Sequence, residues 1–355
     1  MSSDREIRVL VIDDSAFNRQ TITAMLEQHA GIRVVARAAD GDDGLKQVFA
    51  HHPDVITLDL EMPKMDGFTF LRILMSRRPT PVLVISSYAR RENVFKALEL
   101  GALDFIAKPT QKISPELREI ETELVEKIKL VTRLRAVTLV DRMARHAPAT
   151  PAPPADLPVE VTALRKLVAI GASTGGPPAL TQVLTGLDPS LQAAVVVAQH
   201  MPAKFTQAFA ERLDRACALE VREGKHGDAL RPGLVLIAPG AGTMSVVRIA
   251  DGQLRVRVEP SLPDERFAPS IDRLFESVAE AGGSSVVGVV LTGMAGDGAK
   301  GIRAIKDKGG LTIAESAETA VIFGMPEDAI RTGAVDEILP LSHIAAAVNR
   351  ACGAR

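Results

Sequence analysis

The chain has 355 residues with 42 basic and 44 acidic side chains, a net charge of −2; it is too long for one ordinary core and too evenly charged to bind nucleic acid or an anionic membrane by bulk charge. Two cysteines far apart in sequence give neither a disulfide framework nor a metal spacing, and with no Trp the cores must come from Ala, Val, Leu and Ile. The opening MSSDREIRVLVIDDS has acids where a secretory leader needs bases, and no apolar run is long enough to span a bilayer, which predicts a soluble, cytoplasmic protein with no membrane insertion.

In chain order, the first half alternates the apolar runs IRVLVIDD, RVVARAAD, VITLDL, PVLVISS and DFIAKP with amphipathic segments. Five such strand–helix units predict an α/β fold, a doubly wound parallel sheet with helices on both faces. Asp13 and Asp14 close the first strand, Asp59 the third, Ser86 the fourth and Lys108 the fifth. In a parallel sheet those ends share one edge, where sites form. Three clustered carboxylates suit a hard divalent cation, Mg²⁺ first. Cation, lysine and hydroxyl together would neutralise a phosphoryl group on a carboxylate, so an aspartyl phosphate is a reasonable product. The plainer alternative is that acids after strands only cap helices. It fits Asp13 and Asp14 alone better than all five residues together.

The segments VLVIDDSAFNR, LDLEMPKMDGFTFL, PVLVISS and ALDFIAKP resemble a response-regulator receiver domain, a flavodoxin-like fold, over about residues 7 to 125. The resemblance implies Asp59 as phosphoacceptor, with a histidine kinase as phosphodonor. It implies Asp13, Asp14 and the backbone carbonyl of Glu61 as the rest of the Mg²⁺ pocket. Ser86 and Lys108 would sense the phosphoryl group, and Phe105 stands at the switch-aromatic position. Asn18 departs from the family, which commonly has an apolar residue there.

Next, Glu116 to Arg145 has helical spacing, with Leu117, Ile120, Leu124, Ile128 and Val131 on one stripe. HAPATPAPPADLP, residues 146 to 158, is Pro- and Ala-rich without apolar periodicity and reads as a semi-rigid linker. The expected domains are therefore 1–125, a helical then Pro/Ala-rich linker 126–160, and 161–355.

The second half supplies the runs KLVAIGAS, AAVVVAQH, GLVLIAPG, VVGVVLTG, LTIAES and VDEILP, a second parallel α/β domain. Within it SVVRIADGQLRVRVE alternates around Asp251-Gly252, an antiparallel hairpin insertion. The first of these runs breaks into GASTGG, which fits the strand–turn–helix presentation of a nucleophile, Ser173. A serine needs a base. His200 ends the second run, whereas His226 lies in polar EGKHGD and His343 opens a terminal helix, so His200 is the choice. Asp297, in LTGMAGDG after another strand, is the carboxylate on the same edge that would orient the imidazole. Backbone donors at Thr174 and Met294 would stabilise an oxyanion. Alternatively, GASTGG holds a phosphate at a helix N-terminus. It lacks the G-x-G-x-x-G pattern, a ribose-contacting acid and a Walker lysine.

Around these residues VAIGASTGGPPAL, QHMPAKFTQAFAERLD, GDALRPGLVLIAPG, PSIDRLFESVA, GVVLTGMAGDGAKG and FGMPEDAI resemble the catalytic domain of the chemotaxis protein-glutamate methylesterases, from about residue 163 to 350. The resemblance implies phosphorylation-activated hydrolysis of γ-glutamyl methyl esters on methyl-accepting chemoreceptors, and in some members deamidation of receptor glutamines. It implies a Ser173, His200, Asp297 triad that needs no cofactor. Thr243 stands where the family usually has a histidine before the methionine, and AESAETAVI where it is usually acidic and glutamine-bearing. The competing functions are a phospho-regulated binding or scaffold protein and a nucleotide-dependent enzyme using the glycine loops.

Overall fold

The computed structural model describes residues 6–86, 91–108, 115–131, 164–203, 205–240, 242–261, 267–294 and 296–353. The chain divides into two compact units, Met1–Ala144 and Arg145–Arg355. The expected linker at 146–158 and the continuation of the preceding helix beyond Val131 lie outside the described residues.

The first unit runs β1 (Ile7–Ile12), α1 (Ala16–Glu27), β2 (Ile32–Ala38), α2 (Gly41–His51), β3 (Val55–Leu58), α3 (Gly67–Arg77), β4 (Val82–Ser86), α4 (Arg91–Glu99), β5 (Asp104–Ala107) and α5 (Pro115–Val131). Its five strands are all parallel, in the order β2-β1-β3-β4-β5. Val9, Leu10, Val11, Ile56, Leu83 and Val84 are fully buried, as strands covered on both faces require. Ser15, Asp40 and Asp66 cap α1, α2 and α3 by accepting from the backbone of Asn18, Asp43 and Thr69. Helix capping is thus the local role of Asp40 and Asp66, as of many acids that precede helices.

The second unit runs β6 (Lys166–Ala172), α6 (Gly176–Thr185), β7 (Ala193–Gln199), α7 (Phe205–Ala216), β8 (Glu220–Glu223), β9 (Leu234–Ile237), β10 (Gly242–Arg248), β11 (Leu254–Pro260), α8 (Ile271–Gly282), β12 (Val286–Val290), α9 (Ala299–Asp307), β13 (Leu311–Glu315), α10 (Gly324–Arg331), β14 (Glu337–Leu339) and α11 (Leu341–Ala351). Seven parallel strands lie in the order β14-β13-β12-β6-β7-β9-β8. The six apolar runs are all strands. The seventh, β8, was not expected: EVRE is short and charged, and it survives because it is an edge strand that buries only Val221. The hairpin is β10 paired antiparallel with β11, its turn closed by Gly252 at φ +86°. It packs on α8, where Ser277 Oγ accepts from Val246 N at 2.9 Å.

Each sheet reverses its winding once. In the first, β1 leads outward to β2 while β3 leads the other way to β4. In the second, β6 leads to β7 while its neighbour β12 leads to β13. A crevice opens outside the C-terminal ends of strands at such a reversal. Asp13, Asp14 and Asp59 follow β1 and β3; Ser173 and Asp297 follow β6 and β12.

Candidate active site

Ser173 follows β6 on a turn whose left-handed residue is Gly175, at φ +77°. The serine itself is 7 % exposed. Pro177 and Pro178 then open α6, where a missing N–H costs nothing because first-turn donors have no intrahelical acceptor. Gly176 must lack a side chain, since a Cβ there would lie 1.9 Å from Gln199 Oε1. Gln199, at the end of β7, in turn donates to the carbonyls of Ser173 and His200, both at 2.9 Å. It therefore ties the nucleophile's turn to the histidine's backbone.

His200 Nδ1 lies 3.1 Å from Ser173 Oγ, and His200 Nε2 lies 2.8 Å from Asp297 Oδ2. A carboxylate only accepts, so Nε2 carries the proton and Nδ1 turns its lone pair to the hydroxyl. Asp297 is 3 % exposed and sits at the N-terminus of α8. Its Oδ2 also accepts from Ile271 N at 2.7 Å, and its Oδ1 from Asp272 N at 2.8 Å and Gly298 N at 3.1 Å. These donors hold both carboxylate oxygens in place. The arrangement is reciprocal, because Asp272 on α8 accepts from Gly298 N and Gly301 N at the start of α9. Burial, with repulsion from Asp297 adding, pushes the Asp272 carboxyl above its usual range despite those two N–H groups.

The two expected oxyanion residues flank the serine. Thr174 is its neighbour, 2 % exposed. The loop bearing Met294 packs against the serine so closely that a Cβ on Gly293 would lie 2.8 Å from Ser173 Cβ. His226 and His343 are exposed and outside this cluster. Burial raises the thiols of Cys217 and Cys352, to about 12 and about 11, so neither is a thiolate at neutral pH. Phe267 was missed. Its ring stacks on His200 with centroids 4.9 Å apart and planes 1° from parallel. No periodicity in PDERFAPS singles it out.

In the first unit, Asp13, Asp14 and Asp59 each offer an oxygen within 4.8 Å of the others'. An all-oxygen, anionic donor set fits a hard divalent cation. Lys108 Nζ lies 2.6 Å from Asp59 Oδ2 and 3.3 Å from Asp13 Oδ2. Burial, reinforced by Asp13, outweighs that ammonium and holds the Asp59 carboxyl above its ordinary value. Burial would lower Lys108, but the two carboxylates outweigh it and its value is raised. Glu61 lies two residues on, its N–H donating to Asp59 Oδ1 at 3.3 Å. Ser86 is buried beside Lys108, whose N–H donates to the Ser86 carbonyl at 2.8 Å. Asn18 donates to both oxygens of Asp13 at 3.2 Å, which gives its departure from an apolar residue a local role. Phe105 is 2 % exposed, edge-on to Phe95 at 6.4 Å. Lys127, also missed, donates to the Phe105 carbonyl at 2.9 Å and pairs with Asp104 and Glu123 at 3.0 and 2.7 Å.

The family model described as CheB methylesterase matches residues 168–348, and that of the response regulator receiver domain matches 9–118. A relative from Myxococcus xanthus, named protein-glutamate methylesterase/protein-glutamine glutaminase 1, is 50 % identical over 98 % of both chains. One from Geobacter sulfurreducens, named protein-glutamate methylesterase/protein-glutamine glutaminase 3, is 47 % identical over 98 % of both. The crystal structure of the Thermotoga maritima CheB methylesterase catalytic domain is 37 % identical, with a TM-score of 0.51, and covers 54 % of this chain and 99 % of that one.

Proposed function

The chain belongs to the CheB methylesterase family of protein-glutamate methylesterases with a receiver domain, and from that premise we propose that Ser173, His200 and Asp297 perform the hydrolysis and that phosphorylation of Asp59 controls it. The 3.1 Å contact between Ser173 Oγ and His200 Nδ1, backed by the 2.8 Å contact of Nε2 with Asp297, carries this reading. Ser173 Oγ attacks the carbonyl carbon of a γ-glutamyl methyl ester as its proton passes to His200 Nδ1. The negative charge on the former carbonyl oxygen is met by the N–H groups of Thr174 and Met294. The tetrahedral adduct collapses, the C–O bond to the methoxy group breaks, and His200 returns the proton to form methanol. Water then attacks the acyl-serine with His200 again as base, and collapse restores the serine and frees the glutamate. Asp297 keeps the Nε2 proton in place and stabilises the imidazolium. With a glutamine the same steps expel ammonia, which is the second activity named for the relatives.

In the receiver, Asp13, Asp14 and Asp59, with the backbone carbonyl of Glu61, would hold Mg²⁺. The ion supplies positive charge that lets an anionic phosphoryl group approach a carboxylate. Lys108 and Ser86 contact the phosphoryl group formed on Asp59, and Phe105 responds. The substrates are methyl-accepting chemoreceptors, the phosphodonor is a histidine kinase, and the enzyme works in the cytoplasm. No helix among the described residues is long and apolar enough to cross a membrane.

Methanol release from methylated receptor membranes tests the reading. S173A should release none while folding normally, and D59N should lose only the increase caused by a small phosphodonor with Mg²⁺. Full methanol release by S173A would remove Ser173 from the mechanism.

A further inference from the structure

Between the nucleophile's turn and the Met294 loop lies a residue with no assigned role. Thr292 ends the β12 edge of the crevice, is 0 % exposed, and cannot touch substrate. Its hydroxyl donates to the Thr174 carbonyl at 3.0 Å, with the Ile322 carbonyl at 3.3 Å as the next acceptor, and accepts from Ile322 N at 2.9 Å. Its own carbonyl accepts from Ser173 N at 3.0 Å. Its own N–H donates to the carboxylate of Glu315 at 2.8 Å, and the other Glu315 oxygen accepts from Thr319 Oγ1 at 2.9 Å. The adjacent Gly293 exchanges backbone bonds with the same loop, donating to Ile322 O at 3.0 Å and accepting from Met325 N at 2.9 Å. A Cβ on Gly175 would lie 3.2 Å from Thr292 Oγ1, so the serine's turn is closed down onto this hydroxyl.

We propose that Thr292 is a positioning residue for the hydrolysis, its hydroxyl and backbone locking the Ser173–Thr174 turn to the Gly293–Met294 loop so that the oxyanion donors stand at a fixed place relative to the nucleophile. The proposal rests on the triad and oxyanion reading above. The two proposed donors come from different strand ends, and nothing within either turn sets their spacing. Thr292 bonds the turn at both Ser173 N–H and Thr174 C=O, while it precedes Met294 by two residues. A hydroxyl buried in this way holds geometry that is needed most when charge appears on the substrate oxygen. Its loss should therefore slow the chemical step and leave ground-state binding alone.

The test uses the full-length chain, its single-turnover labelling at Ser173 by a p-nitrophenyl phosphonate, and steady-state hydrolysis of a γ-glutamyl methyl ester peptide. T292V keeps the shape and deletes the hydroxyl; T292S keeps the hydroxyl. For T292V we expect labelling and kcat to fall about tenfold to a hundredfold, the scale of a small misplacement of reacting groups, with KM within about twofold. T292S should stay within about threefold of wild type on both, since its hydroxyl can make the same bonds. If T292V does not fold, T292C, which fills the site with a weak donor, carries the same expectation. Wild-type labelling by T292V, an equal loss in T292S, or a change confined to KM would overturn the proposal. A wild-type chain that is not labelled at Ser173 would overturn the triad reading and this proposal together, whereas a labelled wild type with an unaffected T292V overturns this one alone.

Discussion

Two aspartates, Asp297 and Asp272, cap each other's helices, and the same substitution in each should have opposite effects. Asp297 uses both oxygens: Oδ2 for Ile271 N–H and His200, Oδ1 for Asp272 N–H and Gly298 N–H. In D297N the amide nitrogen must face one pair. Facing Oδ1's donors, it strands Asp272 N–H, while Gly298 N–H keeps its bond to Asp272 Oδ1. Facing Oδ2's donors, it strands Ile271 N–H and forces the His200 proton onto Nδ1, away from the base tautomer. Either way one buried N–H loses its acceptor, at about 1–3 kcal/mol. The lost charge at the α8 terminus adds about 0.3–1 kcal/mol. A catalytic unit of this size should lose about 2–4 °C of melting temperature per kcal/mol. In the second orientation activity should fall towards the roughly 10⁴-fold loss that follows a wrong histidine tautomer; in the first the tautomer is kept and the loss is that of the negative charge that stabilises the imidazolium. Asp272 differs, because Gly298 N–H and Gly301 N–H both bond its Oδ1, which an asparagine oxygen can replace. Its carboxyl is raised chiefly by burial, so the folded chain holds the proton more tightly than the unfolded chain. The stability this provides is complete below the unfolded carboxyl value, about 4, and is lost as pH rises through the raised folded value. D272N escapes that loss. It should melt above wild type at pH 7.5, with the gain vanishing as pH falls towards about 4. Calorimetry across pH and methanol release measure both. D297N keeping more than about a tenth of wild-type kcat, or D272N losing as much stability as D297N, would refute the reasoning.

Phe267 stacks on His200, and an aromatic pair contributes about 0.5–1.5 kcal/mol beyond its buried area, so F267L should lose roughly twofold to tenfold in kcat and F267Y should recover it. In G176A the new methyl would displace Gln199 and with it the bonds to the carbonyls of Ser173 and His200; phosphonate labelling at Ser173 should drop further than the far-UV spectrum changes. Lys108 is the cation beside Asp13 and Asp59. K108M should melt lower without Mg²⁺ and gain more from added Mg²⁺ than wild type does, and an equal gain would show that lysine does not share in neutralising the pocket.

The strands were legible because a parallel sheet covered on both faces needs unbroken apolar runs, and VLVI, VITL, VAI and AAVVVA have no other economical use. β8 was not legible for the same reason in reverse: an edge strand has one partner and one wet side, so EVRE carries no run to find. Chain order and strand ends also made the candidate site readable. Ser173, His200 and Asp297 are chemically complementary groups at the ends of β6, β7 and β12, three adjacent strands that flank one reversal in strand order.

What sequence reasoning missed are residues that act through contact rather than chemistry of their own. Phe267 lies just before the helix that Asp297 caps, so its ring reaches His200 only once α8 has docked. Gln199 reads as the last residue of a strand, and its role appears only because Gly176 leaves room for its amide. Thr292 is one threonine among many until Ser173, Thr174, Ile322 and Glu315 are seen around it. Each such residue bonds or packs against segments distant in sequence, at separations that no local period encodes. A single sequence thus exposes the candidate reactive groups, because few residue types can react. It conceals the groups that aim them, because almost any side chain can do that once the fold has chosen its neighbours.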